Sequence, residues 1–290
     1  MYECETGSCA RFFIDWSVLF DYDQDMKCAF VTTNLLDMWS RPQFNSERVS
    51  QLLFGDLVQT GLVRSGFVKA TQPDGYAGWI DRRFLIEITR KEYGLQIGKA
   101  NSVVAARQAK LYTVKQTSSE APYFVYYGTR LKVVSRRNGF ATISLPDGTR
   151  VCLKSQPIVP ISGRKVRQVN PARLVAEAKK FLGVPYLWGG ISPAGFDCSG
   201  FVKAVFGRFG VYLPRDTKEQ INRGVGIARE DIRSGDLLFF KRHIGIAQNR
   251  VLFVHSSVGG GGVRVNSLLS TDDNYRPDLD RNFATARRIL

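Results

Sequence analysis

The feature that most limits the fold is a repeat inside the first half of the chain. Shifted by 73 residues without a gap, Gly55 falls on Gly128, Gly66 on Gly139 and Phe67 on Phe140. In the same register Pro73-Asp74-Gly75 falls on Pro146-Asp147-Gly148, Met38-Trp39 on Leu111-Tyr112, and Glu47 on Glu120. One shared turn tripeptide would carry little, but this many anchors in one register require two copies of one fold. In copy one, Asp56–Leu62, Phe67–Ala70 and Tyr76–Ile80 are short runs parted by Arg64-Ser65-Gly66 and by Pro-Asp-Gly. In the latter turn Pro sets φ, Asp bonds its own backbone and Gly takes φ > 0. Short strands at this spacing predict a small all-β barrel in each copy, over residues 28–95 and 96–162.

Copy two is degenerate, with Thr149 in place of Tyr76 and Cys152 in place of Trp79. Two roles stand open for Tyr76 and Trp79: packing of a barrel core or rim, or contact with a ligand. Ile161–Asn170 is polar and basic and reads as a linker. Asn170 caps a new helix with Pro171 at its first position, and Leu174, Val175, Ala178 and Phe181 predict that helix over Arg173–Phe181. A third domain of another kind is expected over 163–290, and residues 1–27 are left as an N-terminal extension.

A length of 290 residues suits this division, and the hydrophobic and charged fractions of 44% and 23% exclude a disordered or fibrous chain. No run reaches the ~18 apolar residues of a membrane span. The net charge of +15 is uneven, because residues 1–25 hold six acids and one base. The bases lie in scattered pairs with one denser knot, Arg164–Arg167, so a solvated basic surface is expected and no nucleic-acid partner. Five cysteines spread over the chain do not form a disulfide framework. Cys4 and Cys9 could pair or bind a metal, but no other Cys/His cluster accompanies them, and no metal or organic cofactor is implied. The N-terminus lacks a basic n-region, and Asp15 interrupts its best apolar stretch. A cytoplasmic location is therefore expected, or a periplasmic or secreted one if a leader has been removed.

The chemistry gathers in the third domain. Phe201, Val202, Val205, Phe206 and Phe209 recur at helical spacing, which sets Cys198 at a helix N-terminus after the turn residue Gly195. The helix dipole and free N–H groups there favour a thiolate, the nucleophilic form. The alternative is an inert buried cysteine. The chain has two histidines. His243 and His255 flank the polar turn Gln248-Asn249-Arg250, and a hairpin centred on Asn249 sets them directly opposite, about 5 Å apart at Cβ. One imidazole can then orient the other. Two unrelated core histidines are the alternative.

A cysteine at a helix start, a histidine base and a polar orienter form a papain-like set. Asp197-Cys198-Ser199-Gly200, Tyr186-x-Trp188-Gly189-Gly190 and His243-x-Gly245 resemble the NlpC-type cell-wall cysteine peptidases, over residues 171–290. The patterns around Gly55, Gly66-Phe67 and Gly75-Tyr76-Ala77-Gly78-Trp79-Ile80 resemble bacterial SH3-like domains. The implied fold is two SH3-like barrels followed by an α+β papain-like catalytic domain. The whole chain then resembles the γ-D-glutamyl-L-diamino-acid endopeptidases that cut peptidoglycan stem peptides.

By position, the resemblance implies Cys198 as nucleophile, His243 as base and His255 as orienting third member. It implies that Tyr186 shapes the oxyanion site with the Cys198 N–H, and that Asp197, Ser199 and Thr217 line the groove. Asp197 would face the free amine of L-alanine, and Tyr76 of the first domain would wall off that end. Asp197 could instead only cap the helix, Trp188 could pack, and Glu47 could meet the amine or lie on the surface. Gly259–Gly262 reads as a mobile hairpin tip, since no Gly-Lys-Ser/Thr follows. A papain-like amidase or acyltransferase on another amide, and a non-catalytic wall-binding protein, are the competing functions.

Overall fold

The computed structural model describes residues 27–113, 124–161 and 169–290. Cys4, Cys9, Glu120 and the Arg164–Arg167 knot lie outside the described residues. The first copy holds β1 (Lys27–Val31), β2 (Leu35–Trp39), β3 (Arg48–Leu53), β4 (Leu57–Arg64), β5 (Phe67–Thr71), β6 (Ala77–Asp81) and β7 (Leu85–Ile88). After a short helix, α1 (Arg90–Gln96), the second holds β8 (Ser102–Val104), β9 (Gln108–Thr113), β10 (Phe124–Tyr126), β11 (Arg130–Leu131), β12 (Val133–Arg137), β13 (Phe140–Ser144), β14 (Arg150–Lys154) and β15 (Ile158–Pro160).

The sequence shift carries every strand of copy one onto a strand of copy two, with β4 falling on β11 and β12 together. The pairing repeats as well. β1 pairs with β4 and β7, as β8 pairs with β11 and β15; β2 joins β3 to β6, as β9 joins β10 to β14. The repeated tripeptide makes the same turn twice. Gly75 and Gly148 have φ of +85° and +86°, and the flanking N–H groups of Gln72 and Leu145 donate to the Tyr76 and Thr149 carbonyls at 2.8 Å. Asp74 and Asp147 each accept from the N–H two residues on.

The sheets differ from the expected barrels in one respect: none among the described residues closes on itself. Copy one is an open seven-stranded sheet ordered β3-β2-β6-β5-β4-β1-β7. In copy two the interruption at Lys132 divides the equivalent of β4, which leaves a five-stranded and a three-stranded sheet. Each copy has its own apolar core, around Met38, Leu52 and Ile80 in the first and Val125, Ile143 and Leu153 in the second. Phe54 of copy one inserts into the second core, and its repeat partner Tyr127 inserts into the core of the C-terminal unit. There Tyr127 packs edge-on against Phe181 with centroids 4.7 Å apart.

The C-terminal unit opens on α2 (Pro171–Lys179), capped by Asn170, whose side chain accepts from the Ala172 N–H at 2.9 Å. The helix starts at Pro171 and ends two residues before Phe181, in a turn at Lys180–Gly183. A small hairpin, β16 (Ile191–Ser192) and β17 (Gly195–Phe196), leads into α3 (Cys198–Arg208), followed by the one-turn α4 (Thr217–Gln220). Then come β18 (Val225–Ile227), β19 (Leu237–Phe240), β20 (His243–Ala247), β21 (Leu252–Ser257), β22 (Gly262–Ser267), α5 (Pro277–Arg281) and β23 (Phe283–Arg288). They form one antiparallel sheet ordered β18-β23-β19-β20-β21-β22. Phe201, Val202, Val205 and Phe206 of α3 bury against Leu237, Ile244, Ile246 and Val254 of this sheet, which lays the start of α3 beside the start of β20.

Candidate active site

Cys198 is the first residue of α3, and Asp197 is its N-cap, accepting from the Gly200 N–H at 2.6 Å. The cap is more than a helix stop. Asp197 also accepts from the Gly189 N–H at 3.0 Å, from the Ser199 hydroxyl at 3.2 Å and from both terminal nitrogens of Arg215, at 3.2 and 2.5 Å. Both carboxylate oxygens are thus engaged within the protein, so the capping role holds and no oxygen stands free toward the groove. Arg215 is 2% exposed and also donates to Ser199 Oγ at 2.9 Å and to Ser50 Oγ of the first sheet at 3.0 Å. One buried guanidinium therefore ties together the helix cap, the residue after Cys198 and the N-terminal unit.

The thiol environment departs from the sequence expectation. Burial, with the negative charge of Asp197, pushes the Cys198 thiol up to about 11. The Thr217 hydroxyl, 4.0 Å from Sγ, and the N–H groups of Ser199 and Ile244 act the other way without prevailing. Desolvation outweighs the helix N-terminus, so the resting group is the neutral thiol. The Tyr186 hydroxyl, near Cys198, is likewise held protonated, by burial first and by the negative charge of Asp197, against Arg215.

His243 Nε2 and His255 Nδ1 are 2.6 Å apart. Their strands pair one residue later than expected, with Ile246 opposite Val254 and Ala247 opposite Phe253. Gly245 rather than His243 therefore faces His255, and the histidines meet on the diagonal. The shift moves the partner by two residues and keeps both rings on one face. A Cβ at Gly245 would lie 2.8 Å from the Phe253 ring and 3.3 Å from His255 Cβ, so the glycine makes room for the pair. The diagonal continues onto β22, where Asn266 Oδ1 lies 2.9 Å from His255 Nε2. Burial lowers His243 to about 3, helped by His255 and Arg276, and lowers His255 to about 4, helped by Arg276 and Arg264 against the Asn266 bond. Both rings rest neutral. No hydrogen bond joins Cys198 to His243 among the described residues; the link is the Ile244 N–H beside the sulfur.

The first copy walls this site. Trp188, 60% exposed rather than packed in a core, donates Nε1–H to Glu47 at 3.0 Å. Gln51 accepts from the Ile191 N–H at 3.2 Å, and Lys203 of α3 reaches Asp74 in the Pro-Asp-Gly turn at 2.9 Å. Tyr76 donates its hydroxyl to the Val49 carbonyl at 3.1 Å and packs on the first core. Burial first, then the negative charges of Asp216, Asp197 and Glu219, push its hydroxyl up to about 12 against Arg215. The Gly259–Gly262 tip is held, with the Gly261 carbonyl accepting from the Tyr186 N–H at 3.2 Å and Gly262 bridged to Pro185. Sequence reasoning missed Arg215 and Asn266. The signals were a charged residue directly after Val211-Tyr212-Leu213-Pro214, and the alternation of Val263-Arg264-Val265-Asn266.

Residues 183–276 match the model of the NlpC/P60 family. The probable endopeptidase NlpC of Escherichia coli is 37% identical over 41% of this chain and 77% of its own length. The chain belongs to the NlpC/P60 family. Two other relatives extend the likeness across the repeat. The γ-D-glutamyl-L-lysine dipeptidyl-peptidase of Bacillus subtilis is 28% identical over 89% of this chain and 83% of that one. Dipeptidyl-peptidase 6 of Lysinibacillus sphaericus is 28% identical over 87% and 95%. An NlpC/P60 crystal structure from Bacillus cereus matches 91% of this chain and 99% of that one with a TM-score of 0.76 at 23% identity, so the fold is shared over that part of the chain. This NlpC/P60 chain is a peptidase.

Proposed function

We propose that the protein is a cysteine peptidase that hydrolyses the γ-D-glutamyl–diamino acid amide of peptidoglycan stem peptides. The observation that carries the reading is Cys198 on the first turn of α3 beside the start of β20, where His243 is held by His255 at 2.6 Å. With thiol and imidazoles all neutral at rest, His243 takes the Cys198 proton as sulfur attacks the amide carbonyl. Tyr186, held protonated beside the sulfur, donates toward the oxyanion together with the Cys198 N–H. The imidazolium returns the proton to the leaving amine. Water then adds to the thioester with His243 as base, which frees the acid product and the thiol.

Thr217 lines the approach to the sulfur, while Ser199 meets it through its N–H, its hydroxyl being bonded to Asp197 and Arg215. At the end walled by Tyr76, three acids (Asp197, Asp216 and Glu219) act on one hydroxyl against a single Arg215. A net negative end suits the ammonium of an unblocked L-Ala, although Asp197 is spent on its internal partners. Such a peptide has already left the wall, which fits a cytoplasmic recycling role. We read the two repeat units as SH3-like domains over 28–95 and 96–162, ahead of the catalytic domain over 163–290.

Mass spectrometry of L-Ala-γ-D-Glu-diaminopimelate and L-Ala-γ-D-Glu-L-Lys digests tests the reading. Release of L-Ala-γ-D-Glu is expected from the native chain and none from Cys198→Ala. N-acetylation of the L-Ala should abolish cleavage. Turnover by Cys198→Ala refutes the mechanism, and undiminished cleavage of the acetylated peptide refutes the closed amine end.

A further inference from the structure

We propose that Asn266 is a positioning residue: its side-chain amide sets the tautomers of both histidines and leaves Nδ1 of His243 as the bare nitrogen. The inference rests on reading His243 as the base toward Cys198. The 2.6 Å contact between His243 Nε2 and His255 Nδ1 holds one proton, and by itself it does not say which ring owns it. The answer lies one strand further on.

Asn266 is 7% exposed, and its Nδ2 lies 2.8 Å from the Asn274 carbonyl. A carbonyl only accepts, so the amide nitrogen belongs there and Oδ1 must face His255. The Asn274 carbonyl is itself anchored, because it also accepts from the Ser267 N–H at 3.0 Å, while the Asn274 side chain donates to the Val265 carbonyl at 3.2 Å. Facing an oxygen at 2.9 Å, His255 Nε2 must carry a hydrogen. A neutral His255 then has a bare Nδ1, which obliges His243 to donate from Nε2. A neutral His243 with its proton on Nε2 has its lone pair on Nδ1. Reversing the Asn266 amide would reverse every step and leave N–H on His243 Nδ1, which could accept nothing from the thiol. The charged groups around the pair are Arg264, Arg276 and Asp278, and none of them bonds to a ring nitrogen among the described residues.

The chain has two histidines, so 15N-histidine NMR of the full protein at pH 7 shows only four ring nitrogens. Both Nε2 should be pyrrole-type and both Nδ1 pyridine-type; a proton on either Nδ1 overturns the proposal. Asn266→Leu should scramble this pattern and lower kcat by ~100-fold, the scale of general acid–base catalysis, with KM little changed. Asn266→Asp loses the bond to Asn274, so its thermal stability should fall. It retains an acceptor for His255, so the tautomers and most of kcat should return. If kcat instead follows stability through both variants with the tautomers unmoved, Asn266 is merely structural and the proposal fails. A scrambled pattern in Asn266→Leu with full kcat supports the tautomer assignment and overturns instead the reading of His243 as base.

Discussion

Replacing Arg215 with Met tests whether the link between the repeat unit and the catalytic helix is internal architecture or surface decoration. Met keeps much of the length and volume but removes four hydrogen bonds: two to Asp197 at 2.5 and 3.2 Å, one to Ser199 at 2.9 Å and one to Ser50 at 3.0 Å. What remains is a 7%-exposed Asp197 carboxylate with only the Gly189 and Gly200 N–H groups and the Ser199 hydroxyl to satisfy it. Removing one partner of a buried pair costs about 3–5 kcal/mol, because the other charge stays desolvated. The bonds alone give a similar scale, since those to a charged partner contribute about 1.5–3 kcal/mol each. The assay is urea unfolding of the full chain for wild type, Arg215→Met, Asp197→Asn and the double variant. The single variants should be strongly non-additive, with a coupling of about 3 kcal/mol, the upper end for contacting groups. A loss below about 1 kcal/mol, the scale of an exposed ion pair, would refute the reasoning.

With the Cys198 thiol at about 11, iodoacetamide alkylation should be slow at pH 7 and rise about tenfold per pH unit up to pH 10; a rate already level at neutral pH would show a resting thiolate. The unfolded chain protonates its histidines near 6.5 while the folded ones stay neutral to about 4 and about 3. Stability should therefore be unaffected above pH 6.5 and fall below it by up to about 2.7 kcal/mol per pH unit, a slope that His243→Gln/His255→Gln should flatten in denaturant titrations. Gly189 has φ +75°, and a Cβ there would lie 2.5 Å from the Arg48 carbonyl oxygen, so Gly189→Ala should raise KM by opening the groove wall and cost about 1–3 kcal/mol in thermal unfolding. Tyr127→Ala should cost about 3–5 kcal/mol, read as faster proteolysis of the C-terminal unit, because it empties a core position outside its own sheet.

The repeat was legible because turn chemistry is local. Pro-Asp-Gly and the Ser65-Gly66 and Asn138-Gly139 pairs, all with positive φ at their last two residues or last residue, mark the same corners twice. Helix α3, with Cys198 at its start, was legible for the same reason, as cap and apolar spacing lie within a dozen residues. Closure was not. Whether β3 meets β7 depends on contacts remote in sequence, and the break at Lys132 shows that one residue can part a sheet while every pairing partner is kept. The histidine register slipped by one turn position because Asn249 uses its own side chain, accepting the Val251 and Leu252 N–H groups and moving the hairpin centre to Arg250. Ionisation was the least legible property. A helix N-terminus is visible in sequence, but the desolvation that overrides it is set by how deeply the site is covered.

The two copies share a strand pattern but only the first borders the site, and the repeat itself explains how. Position 54 in copy one and 127 in copy two end the same strand turn, and each sends its aromatic ring into the core of the unit that follows. The units thus share one recurring aromatic contact, joined at the first junction by Phe30, Leu57 and Ile88 of copy one, so packing helps to set each against the next. Given that chain of contacts, only the copy whose β2–β3 edge and Pro-Asp-Gly turn swing back onto α3 can meet the groove. In copy one those positions carry Arg48, Ser50, Gln51, Asp74 and Tyr76, all engaged with the catalytic unit or facing its charges. In copy two the matching turn bonds, among the described residues, only within itself, Thr149 closing on Asp147. The loss of the Tyr76 equivalent there is what a surface with no groove to wall would tolerate. Divergence between the copies follows from geometry: the second is held to the C-terminal unit by Tyr127, Arg107 and Arg130, and is released from the contacts beside Cys198 and α3 that the first still makes.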